Sequence, residues 1–199
     1  PDGASHHGMW DMALASIVPG LHLAAPRDGE HVASALRDSI DISDAPSIIR
    51  FPKGSSPAPI PALRETGGVD VLFENTPAPE VDELVIGVGS MVPTALTVTE
   101  KLAAEGRSVR AVDPVWALPV NPALIELART AGRVTVIEDN LVNAGVGTQI
   151  ALAVAEAGLA VPVRTFGIPK RFLDHASRGQ VLEEIGLTAD PIASVLLEG

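Results

Sequence analysis

The chain reads as an α/β protein with a mostly parallel sheet covered on both faces, and three observations predict it. Short apolar runs of strand length alternate with segments of helical apolar spacing along nearly all of its 199 residues. Gly and Pro clusters such as Pro19-Gly20, Pro26-Arg27-Asp28 and Pro52-Lys53-Gly54 fall where one kind of run gives way to the next. The composition, 46% apolar and 20% charged, is that of a folded globular chain. No internal repeat or low-complexity tract competes with this reading.

Residues 9–17 (MWDMALASI) have a helical rhythm that Pro19-Gly20 stops, and 21–25 is a short apolar strand. Val32, Ala33, Leu36 and Ile40 predict a helix over 29–42, and SIIRF at 47–51 a buried strand. This αβαβ order is the closing part of an α/β domain, residues 1–54. Residues 55–68 begin rich in Ser, Pro and Ala with little periodicity, and read as a linker. A second domain occupies 69–199. Its strands are predicted at 69–73, 83–89, 108–113, 133–138 and 161–166, its helices at 92–105, 121–130 and 147–157, and a mostly helical tail at 177–197.

The absence of Cys excludes disulfides, thiolate metal sites and a cysteine nucleophile, and fits a reducing cytoplasm. Twenty-five acidic against fourteen basic residues give a formal charge of -11, which disfavours nucleic acid and anionic lipid as partners. Aromatics are only 3% and Tyr is missing, so base-stacking platforms are lacking too. No apolar run has the length of a membrane span, and no signal-peptide pattern opens the sequence.

Asp2, His6 and His7 crowd the first eight residues, which carry no initiator Met and no preceding strand, as at a cut end of a longer protein. A carboxylate four residues from a histidine can orient the imidazole or share a substrate hydroxyl with it; the alternative is a solvated turn or cap before the first helix. His22, His31 and His175 lie in separate elements, so the histidines offer no zinc-ligand spacing. Arg50 and Lys53 flank the turn after the 47–51 strand, where an open α/β sheet usually takes its ligand. They read equally as an anion site and as a solvated basic loop. NAGVGT at 143–148 lacks both nucleotide-loop patterns and is read as a tight strand-to-helix turn, with Glu138, Asp139 and Asn140 in capping or pairing roles.

PDGASHHGMWD, VPGLHLAAPRD and DAPSIIRFPKG, in that order, resemble the 1-deoxy-D-xylulose-5-phosphate synthase family of thiamine-diphosphate enzymes. ELVIGVGSMVPTAL, VDPVWALPVN, VTVIEDNLVNAGVGTQI and FGIPKRFLDHASRGQVLEEIGL are similar to that family's C-terminal domain. The resemblance implies the end of a pyrimidine-binding domain followed by a transketolase C-terminal-like domain. It implies a cytoplasmic homodimeric transferase that condenses pyruvate with D-glyceraldehyde 3-phosphate to 1-deoxy-D-xylulose 5-phosphate and CO2, a precursor of isoprenoids, thiamine and pyridoxal. Asp2 and His6 match the family's active-site pair facing the acceptor. Lys53 stands where many members carry a phosphate-gripping arginine, Arg50 lies beside it, and His7 takes a supporting place. Lysine keeps the charge but loses the planar fork. Thiamine diphosphate and Mg2+ are implied in the intact enzyme, held by an N-terminal portion not contained in this sequence, so the chain alone is expected to be inactive. Transketolase, a 2-oxoacid dehydrogenase beta subunit, and a dimerisation module without chemistry are the competing readings.

Overall fold

Residues 3, 4 and 6–199 are described in the computed structural model. The first apolar segment forms α1 (Asp11–Ala15), shorter than its rhythm suggests, and β1 (His22–Ala24) follows. α2 (Gly29–Asp41) starts on Asp28, whose Oδ1 accepts from the His31 backbone N–H at 3.0 Å and so satisfies an otherwise orphaned donor of the first turn. β2 (Ser47–Ile49) pairs parallel with β1. The sequence reading makes this strand buried, but it is an edge strand with two of its three residues exposed. Its apolar side chains have a partner strand on one side only.

The presumed linker contains a strand, β3 (Arg64–Thr66), which turns at Gly67-Gly68 and pairs antiparallel with β4 (Val69–Glu74). Three residues are too few to show a period. β5 (Val81–Gly87) leads through a single 3-10 turn into α3 (Val92–Ala104), and β6 (Val109–Asp113) follows. β7 (Trp116–Leu118), also too short to be read from sequence, leaves the second segment and pairs antiparallel with β1, completing a three-stranded sheet ordered β2-β1-β7. Then come α4 (Pro122–Arg129), β8 (Ala131–Leu141), α5 (Val146–Glu156), β9 (Val163–Ile168), α6 (Arg178–Glu184) and α7 (Ala189–Glu198).

The larger sheet is ordered β3-β4-β6-β5-β8-β9. The β6-β5-β8-β9 part is parallel, and β3 and β4 add an antiparallel edge. Strand alternation divides the core in two. Leu84 and Ile86 of β5 and Val134 and Val136 of β8 join a cluster with α4 and α5, while Val85 and Ile137 join one with α3 and α7. With helices on both faces, the central strands are apolar on both sides. Met12, Leu21 and Leu23 of the first segment belong to the former cluster, so the two segments share a core. No helix among the described residues is long and apolar enough to cross a membrane.

A buried arginine reinforces the joint between the segments. Arg27, 2% exposed, donates from Nη1 to Asp113 at 2.8 Å and to Asp70 at 2.7 Å, and from Nε to the Ile60 carbonyl at 2.9 Å. Asp28 beside it accepts from the Ile60 N–H at 2.9 Å, so 55–68 is tied at its middle. Replacing Arg27 by Leu leaves the fully buried Asp113 without its cation, and the expected loss of stability is about 3–5 kcal/mol. Urea unfolding of the two proteins checks it; a difference below ~1 kcal/mol contradicts the assignment.

Glu138 settles the purpose of the 143–148 turn. Its two carboxyl oxygens accept from the backbone N–H groups of Val146 and Gly147, at 2.8 and 2.9 Å, where α5 begins. A Cβ on Gly145 would lie 2.3 Å from Glu138 Oε2, so only glycine admits the carboxylate. Burial, opposed by these two bonds, pushes the Glu138 carboxyl up to about 7. The native state therefore holds its proton more tightly than the unfolded chain does, and this contribution to stability, complete below about pH 4.5, is lost as the pH rises through about 7. From pH 5 to 8 the protein should lose on the order of 2–3 kcal/mol from this group. The same pH series on Glu138→Gln should be distinctly flatter, and equal slopes would remove Glu138 as the cause.

Candidate active site

Just before its last residue, Leu141, β8 carries three consecutive polar residues, Glu138, Asp139 and Asn140, all buried. Successive side chains of a strand point to opposite sides, so Glu138 turns to α5 while Asp139 faces the first segment. Asp139 Oδ1 forms an ion pair with Arg50 Nη1, and its carbonyl accepts from Arg50 Nη2 at 3.3 Å. Its Oδ2 accepts from Ser90 Oγ at 2.9 Å, and Arg178 Nη2 lies at the same distance. Burial alone would raise the Asp139 carboxyl; the charges of Arg50 and Arg178 and the Ser90 bond outweigh it and hold the group below its ordinary value. Arg50 Nε donates to Asp11 Oδ2 at 3.1 Å, and Asp11 Oδ1 accepts from the Asn140 side-chain amide at 2.7 Å. α1, the turn after β2, the end of β8 and the start of α6 are thus joined by one polar network.

The network borders a cleft of about 320 Å³. His6, His7, Asp11, Arg50 and Lys53 line it from the first segment, and Arg178 from the second. Ile168, Leu173 and Val181 supply an apolar wall. The cleft lies beyond the carboxyl ends of β8 and β9, where parallel α/β sheets bind ligands. Four of the five residues singled out from sequence, His6, His7, Arg50 and Lys53, therefore come together; Asp2 lies outside the described residues. His7 Nδ1 is buried with no hydrogen-bond partner among the described residues. Gly3 packs on the ring of His175, where a Cβ would sit 2.1 Å from Nε2, so the histidine-bearing loop rests against the chain between β9 and α6. A larger hollow of about 590 Å³ includes Arg64 and Arg110, but Arg64 is held by Glu74 and Arg110 by Glu74 and the Ala78 and Pro79 carbonyls, and none of the sequence candidates lines it.

Sequence reasoning did not single out Asp11, Ser90 or Arg178 for this site, and it left Asp139 without a partner. The acidic pair at the end of an apolar strand was a signal for Asp139. Arg178 carried none, because the ten residues before it have no period and only the fold returns it to Asp139. Chemically, the cleft offers imidazoles for proton transfer beside Arg50, Lys53 and Arg178, a setting for an anionic substrate with a reacting oxygen. Among the described residues no group of three or more His, Asp or Glu is placed to hold a metal ion. These donors do not by themselves form a site for a metal-bound diphosphate.

Residues 1–59 match the pyrimidine binding domain of transketolase, and residues 75–192 the transketolase C-terminal domain. The chain is 50% identical over 193 residues to a protein of Streptomyces avermitilis named 1-deoxy-D-xylulose-5-phosphate synthase 2, covering 96% of this chain and 30% of that one. It is 51% identical over 192 residues to 1-deoxy-D-xylulose-5-phosphate synthase of Streptomyces sp. strain CL190, with the same coverage. The chain thus spans about 30% of the length of these curated relatives. Among solved structures, a split-gene transketolase described as an inactive beta4 tetramer aligns with TM-score 0.80 at 25% identity, over 98% of this chain and 63% of that one. The transketolase of Campylobacter jejuni aligns with TM-score 0.78 at 19% identity, over 100% of this chain and 29% of that one, which shows the shared fold. The two halves of the molecule that meet at Asp139 are therefore the pyrimidine-binding and C-terminal units of one architecture, and the chain belongs to the transketolase family.

Proposed function

We propose that this chain is the acceptor-facing part of a synthase that condenses pyruvate with D-glyceraldehyde 3-phosphate, releasing CO2 and 1-deoxy-D-xylulose 5-phosphate, a precursor of isoprenoids, thiamine and pyridoxal. The observation that carries the reading is the gathering of His6, His7, Arg50 and Lys53 in one cleft of a chain about half identical to proteins of that name. Thiamine diphosphate, bound with Mg2+ by an N-terminal portion of the same enzyme, supplies the decarboxylation and the carbon nucleophile. The residues of this chain handle the other partner. As the aldehyde carbon is attacked, its oxygen becomes an alkoxide, and His6 donates a hydrogen bond or proton there. Asp2 holds an acceptor hydroxyl or orients the histidine, and Lys53 draws the phosphate into the cleft as a point charge. The working assembly is a cytoplasmic homodimer of full-length chains.

A purely structural C-terminal segment is the weaker reading, because Ile168, Leu173 and Arg178 of that segment line the cleft. In the full-length polypeptide, His6→Ala should slow the ligation step by about 10²- to 10⁴-fold. Lys53→Ala should chiefly raise KM for the phosphorylated acceptor and spare that for pyruvate. Steady-state kinetics with each substrate varied in turn checks both, and an unchanged acceptor KM removes Lys53 from the phosphate site. The 199-residue chain alone should show no turnover with both substrates and thiamine diphosphate; activity in that assay refutes the division of labour.

A further inference from the structure

The reading of the cleft as an acceptor site leaves open which group grips the phosphate, and the donors of the three cations decide it. Every nitrogen of Arg50 is engaged: Nε on Asp11, Nη1 on the Asp139 carboxylate and Nη2 on the Asp139 carbonyl. Its side chain is only 13% exposed. Lys53 carries charge but no planar fork. Arg178 is built differently. Nη2 alone is engaged, to Asp139 Oδ2 and Ser90 Oγ at 2.9 Å each and to Met91 Sδ at 3.6 Å, while Nε and Nη1 have no partner among the described residues. The side chain is 43% exposed and lines the cleft.

An arginine anchored by one nitrogen on a buried carboxylate loses little further side-chain freedom when it takes a ligand, which strengthens each bond it then makes. Asp139 cannot meet the ligand itself, being 1% exposed with both oxygens occupied. Among the described residues, Asp11, Arg50, Lys53 and Arg178 are the Asp, Lys and Arg side chains that line the cleft, with the buried Asp139 behind them. Resting on the acceptor-site reading, we infer that Arg178, brought by the C-terminal segment, is the guanidinium that receives the acceptor's phosphate in this protein. Asp139 is a positioning residue that acts through Arg178.

The test is made on the full-length polypeptide that carries this sequence. R178Q should raise KM for D-glyceraldehyde 3-phosphate about tenfold or more, with pyruvate KM changed less than about twofold. R178K should recover only part of the loss. Competitive inhibition by inorganic phosphate against the acceptor should weaken in parallel, and D139N should move acceptor KM and phosphate inhibition the same way by a smaller factor, with D139E as its replacement if D139N does not fold. An acceptor KM and a phosphate inhibition constant in R178Q equal to the parent's overturn the inference. If the parent does not turn over this substrate pair, the synthase reading fails, and calorimetric titration with inorganic phosphate then decides Arg178. Binding by the parent that R178Q loses upholds its role as the phosphate contact; equal binding, or none by either, ends it.

Discussion

The contact on which the architecture of the cleft depends is a buried carboxylate between two arginines that are 128 residues apart in the chain, Asp139 with Arg50 and Arg178. A buried ion pair contributes little net stability compared with apolar side chains of similar size, because desolvation offsets most of the attraction. What it fixes is geometry. Breaking it strands a charge in the interior, so arrangements that separate the β2 turn from the end of β8, or α6 from either, are strongly disfavoured. The Arg27 joint applies the same constraint on the far side, where Asp113 and Asp70 receive an arginine from the first segment. Two such joints, with β7 added to the β1 sheet, hold the segments in one orientation and leave the cleft between them open.

Three consecutive residues near the end of β8, where its register with β9 shifts, divide the work. Glu138 closes the start of α5, Asp139 orients cations toward the cleft, and Asn140 anchors α1 through Asp11. The two neighbouring carboxyls are driven apart in acidity by surroundings on opposite sides. Glu138, without a cation in contact, is pushed up to about 7, while Asp139, with two, stays ionised well below that. The helix-capping role and the cleft role are carried on one strand and stay coupled, since the Asp139 charge adds to the upward push on Glu138 and Arg50 opposes it.

Much of this was legible in the sequence, for a physical reason in each case. Helices α2, α3, α4 and α5 and the central strands β5, β6 and β8 announced themselves because a period needs several residues to show, and these elements have them. β3 and β7, three residues each, did not, and both form only by pairing with partners that supply their register. The turn at 143–148 was read from its glycines as a structural turn, which Glu138 and Gly145 explain. His6 and His7 were singled out as imidazoles crowded in a Gly-containing loop and Arg50 and Lys53 as cations at the turn after a strand, and the fold brings the four to one cleft. The partners of Arg50 were not, since Asp11 and Asp139 lie 39 and 89 residues from it in the chain. Long-range ion pairs leave no local trace.

A chain of net charge -11 that gathers cations in one cleft poses a question of range. At physiological ionic strength the field of exposed carboxylates fades over about 8 Å, whereas charges a few ångströms apart in a partly dry cleft interact several-fold more strongly than in bulk water. The nearest groups therefore decide what binds. Here those are Arg50, Lys53 and Arg178, with Asp11 and Asp139 turned toward Arg50 and Arg178. The acidic exterior repels polyanions, which must approach along an extended surface, but a small anion that fits the cleft meets the cations gathered there. The charge pattern thus selects by size as well as by sign. It does so only because the buried carboxylates bring cations from both segments together at the carboxyl end of β8.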